Sequence, residues 1–174
     1  MTQPGAIQPG ERISTALLVV SDRASSGVRA DKCEPALRQA LENTPLNLTA
    51  VKVTPDEMGQ IRSAILEWAD SGVFGLILTA GGTGLHPRDV TPEATEPLLE
   101  RAIPGIPEAM RAMSLKITPR AALQRGVAGI RNRTMIINLP GSPKAAVENL
   151  SAVLDAVIHG VAKMKGDPSD CASS

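Results

Sequence analysis

Three short runs of apolar, β-prone residues decide what this chain can become: Thr15–Val20, Gly75–Thr79 and Thr134–Leu139. Each is continuous rather than alternating, which suits a strand covered on both faces. Such strands need helices on either side of the sheet, and the intervening sequence supplies them. Leu37 and Leu41 share one face of a segment from about Lys32 to Glu42. Ile61, Ile65, Leu66 and Trp68 form a stripe after the helix start Thr54-Pro-Asp-Glu57. Val147, Leu150, Val153, Leu154, Val157, Ile158, Val161 and Met164 form a longer one after Ser142-Pro143, a cap followed by a first-turn proline. Leu46–Val53 reads as a further strand. Thr91-Pro92 reads as a capping residue and proline opening a helix to about Arg101, broken by Pro104, Gly105 and Pro107. A short helix over Glu108–Ser114 and an irregular stretch to Gly129 follow. Strands alternating with helices predict right-handed crossovers and an α/β fold with a mostly parallel sheet.

The 174 residues suit one domain, expected over residues 13–167 between a flexible leader (1–12) and a flexible tail (168–174). Eighteen basic against eighteen acidic residues argue against a protein that coats nucleic acid or anionic membrane. Trp68 and Phe74 are the whole aromatic complement, too little to stack successive bases. Cys33 and Cys171 make no disulfide framework, and with His86 and His159 they show no zinc-ligand spacing. Ala16–Val20 is too short for a signal-peptide core or membrane span. The expectation is a cytoplasmic protein.

Ligands of such folds gather beyond the carboxyl ends of the strands, where three loops fall: Ser21–Gly27, Ala80–Thr91 and Asn138–Pro143. Gly81-Gly-Thr-Gly84 lets several backbone N–H groups point into one concavity beside the helix start at Thr91, as a phosphate requires. The run lacks the lysine and spacing of a P-loop, so alone it equally describes a tight strand-to-helix turn. Asn138-Leu-Pro-Gly-Ser-Pro143 is a second anion-accepting helix start or a plain cap. Asp22, Asp56 and Asp89 each sit just past a strand, where Mg²⁺ could bridge carboxylates to substrate phosphates. Each also has a structural reading, on a helix dipole or in a turn; recurrence at three equivalent ends favours function. Between Ala109 and Val147 lie seven basic residues and no acid, a local charge of +7, while eleven basic against eighteen acidic residues leave −7 elsewhere. A basic strip beside phosphate-type loops suits a second anionic substrate, with a solvated face as the alternative.

Four stretches together carry a resemblance: Val20-Ser-Asp-Arg-Ala-Ser-Ser-Gly27, Thr54-Pro-Asp-Glu57, Thr79-Ala-Gly-Gly-Thr-Gly84 with Pro87-Arg-Asp-Val-Thr-Pro-Glu-Ala94, and Ile137-Asn-Leu-Pro-Gly-Ser-Pro143. From about Ile13 to Asp167 the chain resembles the molybdopterin adenylyltransferase family of molybdenum-cofactor biosynthesis, the MogA and G-domain proteins. The resemblance implies a three-layer α/β/α domain assembled as a homotrimer. It implies use of Mg²⁺ and ATP to adenylylate the terminal phosphate of molybdopterin, release of pyrophosphate, and delivery of the product to a molybdenum-insertion protein. The family's essential acids, with the metal, fall on Asp56 and Asp89. Its nucleotide and pterin contacts fall on Ser21, Asp22, Ser25, Ser26 and Gly27; on Gly81, Gly82, Thr83, Gly84 and Arg88; on Ser114 and Arg125; and on Asn138, Pro140, Gly141 and Ser142. Two departures stand out: Cys33-Glu34 where members commonly carry Gly or Ser-Gly, and Gln124, still a hydrogen-bond donor, where many carry Ser before the arginine. A noncatalytic molybdopterin-binding relative and a molybdenum-insertion component are the alternatives, the latter normally needing additional domains.

Overall fold

The computed structural model describes residues 12–166; most of the expected leader, the tail and Cys171 lie outside the described residues. Its strands are β1 (Ile13–Val20), β2 (Leu46–Thr54), β3 (Leu76–Ala80), β4 (Arg101–Ala102), β5 (Ala128–Arg131) and β6 (Thr134–Leu139), in one sheet of order β2-β1-β3-β6-β5-β4. The four strands β2, β1, β3 and β6 run parallel, and β5 lies antiparallel to both β6 and β4. The helices are α1 (Asp22–Ser25), α2 (Cys33–Leu41), α3 (Met58–Asp70), α4 (Thr91–Thr95), α5 (Gly105–Leu115) and α6 (Pro143–Met164).

Every residue of β3 and β6 is buried, which is why both read as continuous apolar runs. Alternate residues part to opposite layers. Leu17, Val19, Leu76, Leu78, Ile137 and Leu139 pack with α2, α5 and α6, whereas Leu18, Val20, Ile77 and Ile136 pack with α3 and Ala94 of α4. The result is a three-layer α/β/α sandwich. The helix α6 is long and apolar enough to cross a bilayer, but its stripe of Leu150, Val153, Val157 and Val161 belongs to this core.

Several expectations change. The helix from Thr91 ends at Thr95, not Arg101, and a 3₁₀ turn over Glu96–Leu98 follows. Pro97 is the cause: it lacks an N–H, and its ring opposes the carbonyl four residues back. Thr91 is the first helical residue rather than the cap, a position held by Val90 without a side-chain bond. Conversely α5 begins at Gly105, because Pro104 and Pro107 occupy its first turn, where no intrahelical N–H is needed. The stretch before Gly129 contains a 3₁₀ turn over Pro119–Leu123 and leads into β5. The hairpin from β5 to β6 turns at Asn132, whose φ of 53° suits asparagine. Ser21–Gly27 holds the short helix α1, capped by Ser21 Oγ accepting from the Ala24 N–H at 3.2 Å.

The registers Val19–Ala80, Ala80–Leu139 and Val20–Thr54 bring the ends of the four parallel strands level. The loops beginning at Ser21, Pro55, Gly81 and Pro140 therefore open on one edge.

Candidate active site

The glycine loop after β3 is shaped by close backbone approach. Gly81 has φ +114°, and a Cβ there would stand 2.2 Å from the Val20 carbonyl oxygen. Gly82 has φ +64°, and its Cβ would meet Thr91 Oγ1 at 2.3 Å and Asp56 Oδ1 at 3.1 Å. The Gly81 N–H donates to the Leu139 carbonyl at 3.2 Å, and the Gly81 Cα lies 3.1 Å from where a Gly141 side chain would begin. The glycine loop and the Pro140–Pro143 turn thus touch through bare backbone.

The three acids have different fates. The Asp22 N–H donates to Asp56 Oδ2 at 2.9 Å, and the Asp56 N–H donates to Asp22 Oδ1 at 2.9 Å. This reciprocal pair ties the β1 loop to the β2 loop. Arg88 then grips Asp22 through Nε at 3.1 Å and Nη2 at 2.9 Å, and reaches Glu57 at 2.9 Å. Arg88, followed by the Asp56 N–H, holds the Asp22 carboxyl below its ordinary range. Asp22 is a latch for Arg88, and its half-exposed side chain also lines the open groove beside it. Burial raises the Asp56 carboxyl, opposed by the Asp22 N–H and seconded by the charges of Asp22 and Asp89. Asp89 Oδ2 accepts from the His86 N–H at 2.9 Å, fixing the turn before α4. Asp56 Oδ1 lies beside Gly82, and Asp89 Oδ2 beside Gly84.

The basic strip does not form one surface. Arg131 pairs with Asp70 at 2.8 Å and Arg133 donates to the Lys165 carbonyl at 3.4 Å, both at the end of the sheet opposite the loops. A hollow of about 660 Å³ lies there as well, lined in part by Gly75, Arg133 and Thr134, remote from the acids and glycines. Arg125 sits beside the site but is turned inward. Its Nε donates to the Gly84 carbonyl at 2.8 Å, its Nη2 to the Asp89 carbonyl at 2.7 Å, and its Nη1 to Glu93. It clamps the glycine loop to α4. Asn138 is fully buried: it donates to Thr79 and Thr95 hydroxyls at 3.0 and 3.1 Å and accepts from the Val127 N–H. It pins the loop from within the core.

Ser21, Ser25, Ser26 and Gly27 surround α1. Asp22, Ser25, Ser26, Pro55, Glu57 and Arg88 line an open groove of about 710 Å³. Ser114, Gln124 and Pro140 line a separate, mostly apolar cavity of about 220 Å³ with Arg111, Arg120 and Asn149. The Gln124 amide is buried behind it, Nε2 against Gly126, with neither Nε2 nor Oε1 partnered. The buried Cys33 thiol, pushed up to about 11 by burial and then by Asp31, stays protonated and donates to the Gly141 carbonyl at 3.3 Å. Sequence reasoning missed Thr91 and Glu93 as parts of this site. Glu93 shows itself only once Arg125 is folded against it.

The clamp gives a first prediction. Arg125→Ala orphans two carbonyls and one carboxylate, and is expected to destabilise the chain by about 2 kcal/mol. Arg125→Lys recovers little of it, because a single ammonium does not reproduce the planar fork. Thermal denaturation of the two variants beside the wild type measures both effects.

Residues 16–160 match the family described as "Probable molybdopterin binding domain". The molybdopterin adenylyltransferase of Escherichia coli K12 is 45% identical over 152 residues, covering 83% of this chain and 77% of that protein. The chain belongs to the molybdopterin-binding family of MogA and MoaB. The molybdopterin adenylyltransferase of Helicobacter pylori is 40% identical over 90% of both chains. The gephyrin of Dictyostelium discoideum is 46% identical, but the chain spans only 22% of its length. The crystal structure of the molybdopterin biosynthesis enzyme MoaB from Thermus thermophilus superposes with a TM-score of 0.85 at 47% identity, covering 91% of this chain and 99% of that one. Membership places this MogA/MoaB relative among the transferase enzymes of molybdenum-cofactor biosynthesis.

Proposed function

We propose that the chain transfers the adenylyl group of ATP to the terminal phosphate of molybdopterin. The observation that carries this reading is the convergence of Asp56 and Asp89 on one glycine loop, next to an open groove lined by their chain neighbours Pro55, Glu57 and Arg88. A phosphate oxygen of molybdopterin forms the new bond to the α-phosphorus of ATP, and the bond to the β-phosphate oxygen breaks, releasing pyrophosphate. The attacking phosphate is already ionised near neutral pH, so no general base is required. Positioning and charge stabilisation supply the rate. Backbone N–H groups of the glycine loop hold phosphate oxygens, and Arg88 can exchange Asp22 and Glu57 for an incoming phosphate.

Among the described residues no three metal-ligating side chains cluster. Two carboxylates with oxygens to spare fit Mg²⁺, which commonly takes one or two protein carboxylates and completes its shell with substrate phosphates and water. Asp56 and Asp89 would hold it. When bound, it supplies positive charge to the phosphates of ATP and to the departing pyrophosphate.

The cavity of about 220 Å³ is under the roughly 300–1,000 Å³ of a pocket for a whole drug-sized ligand, so it suits one ring system. Incubating the purified chain with molybdopterin and Mg-ATP tests the reading. Adenylylated molybdopterin and pyrophosphate support it, and pterin bound without turnover overturns it in favour of a noncatalytic binder. We further propose a homotrimer that hands its product to a molybdenum-insertion protein. Met113, Leu115, Ile117 and Leu123, 40–53% exposed around the end of α5, offer apolar surface for assembly. Sedimentation equilibrium is expected to give the trimer mass, and a monomer at micromolar concentration overturns it.

A further inference from the structure

Thr91 is fully buried, and its hydroxyl has no hydrogen-bond partner. An isolated buried hydroxyl is a net cost to the fold, and the local alternatives are closed to it. The amide a helix cap would ordinarily satisfy, that of Ala94, already donates to the Val90 carbonyl at 2.9 Å. The Thr91 N–H holds the Gly82 carbonyl at 3.0 Å, so the residue is fixed against the glycine loop by its backbone. Its Oγ1 and Asp56 Oδ1 both lie within 3.1 Å of one point, the place a Cβ on Gly82 would occupy. Because Gly82 has no side chain, none occupies that point. The other Asp56 oxygen, Oδ2, is engaged by the Asp22 N–H.

Building on the adenylyl-transfer reading, we propose that Thr91 is a positioning residue for Asp56: in the substrate complex its hydroxyl donates to Oδ1 and fixes the carboxylate plane. One bond to Oδ2 leaves the carboxylate free to swing about it; a second, from a group locked in the core, removes that freedom. Thr91 itself touches no substrate, having no surface to offer, and acts through Asp56. Supporting bonds of this kind typically change metal affinity or activity by 10–100-fold.

The full-length chain with Thr91→Val and with Thr91→Ser tests the assignment. Valine keeps the shape and replaces the unpartnered hydroxyl with a methyl group, so Thr91→Val is expected to melt at or above the wild-type temperature. Its kcat is expected to fall by about tenfold or more with KM for molybdopterin unchanged, and Thr91→Ser to regain most of the rate. Mn²⁺ binding in the presence of a non-hydrolysable ATP analogue, read by electron paramagnetic resonance, is expected to weaken several-fold in Thr91→Val and recover in Thr91→Ser. A Thr91→Val protein with wild-type kcat and Mn²⁺ affinity overturns the proposal. So does one that loses melting temperature and rate together without rescue by serine, since that marks a merely structural threonine. If the wild-type chain makes no adenylylated product yet the Mn²⁺ pattern holds, the adenylyl-transfer reading fails and the link between Thr91 and Asp56 stands.

Discussion

Asp56→Asn and Asp89→Asn are each expected to lose at least about a hundredfold in product formation, the scale of removing one decisive electrostatic contact, while the protein stays folded. Asparagine preserves shape and the accepting oxygen. The bonds from the Asp22 N–H to residue 56 and from the His86 N–H to residue 89 therefore survive. Only the charge is gone, and with it the affinity for a divalent cation shared with phosphates. Molybdopterin is expected to bind as well as before or slightly better, because a carboxylate repels an anionic substrate. Stability separates the two positions further. The folded-state pKa of Asp56 is raised by burial, so its carboxylate opposes folding above that pKa, and the opposition disappears below the ordinary value of 3.8. Asp56→Asn is thus expected to melt at or above the wild-type temperature near pH 7, with the difference closing as pH falls through the Asp56 titration. Product assays paired with melting curves check this. Near wild-type turnover in both variants at saturating Mg-ATP would make these acids structural and relocate the active site.

Gly81→Ala is expected to do greater damage to the fold. A left-handed φ of +114° excludes an L side chain, and the added carbon would lie 2.2 Å from the Val20 carbonyl oxygen, inside any allowed contact. Relief requires the ends of β1 and β3 to part, at a cost of about 3 kcal/mol or more, or roughly 10 °C in melting temperature for a chain of this size. Even where the chain folds, displacing the loop by about 1 Å should cost about a hundredfold in product formation. Gly27→Ala is the control. Gly27 also has positive φ, +73°, but no atom lies within 4 Å of its would-be side chain, so strain without collision should cost only about 1 kcal/mol. Comparable melting temperatures for the two variants would show that the approach of Gly81 to β1 is dispensable.

The buried strands were legible because both faces are covered, so that apolar residues dominate each run and the few polar ones, such as Thr79 and Asn138, are bonded internally. The edge was not. Two residues of β4 and four of β5 are too few to show a period, and the hairpin at Asn132 uses no glycine. Pro97 could have ended the Thr91 helix on paper; Pro104 and Pro107 meant a start rather than a stop. At the site, backbone-driven features were readable, since glycines and acids cluster at strand ends. The direction of a side chain was not. Asn138, Arg125 and Asp22 have the composition of ligand contacts, and only the fold shows that each also bonds within the protein. Thr91 shows the reverse, a cap by spacing that folding leaves without a partner.

The pairing of β3 with β6 has a consequence for the order in which this protein comes into being. Thr79 and Asn138, joined across that pair, are 59 residues apart in the chain, whereas β5 and β6 meet through a tight turn. Local hairpins form in microseconds, while a distant closure must first overcome the entropy of the loop between. The contact of Gly81 with Gly141 exists only after that closure. A nascent chain emerging from the ribosome therefore carries a finished glycine sequence long before it has a site. Substrate has nothing to bind until β6 has been made, released and drawn across to β3.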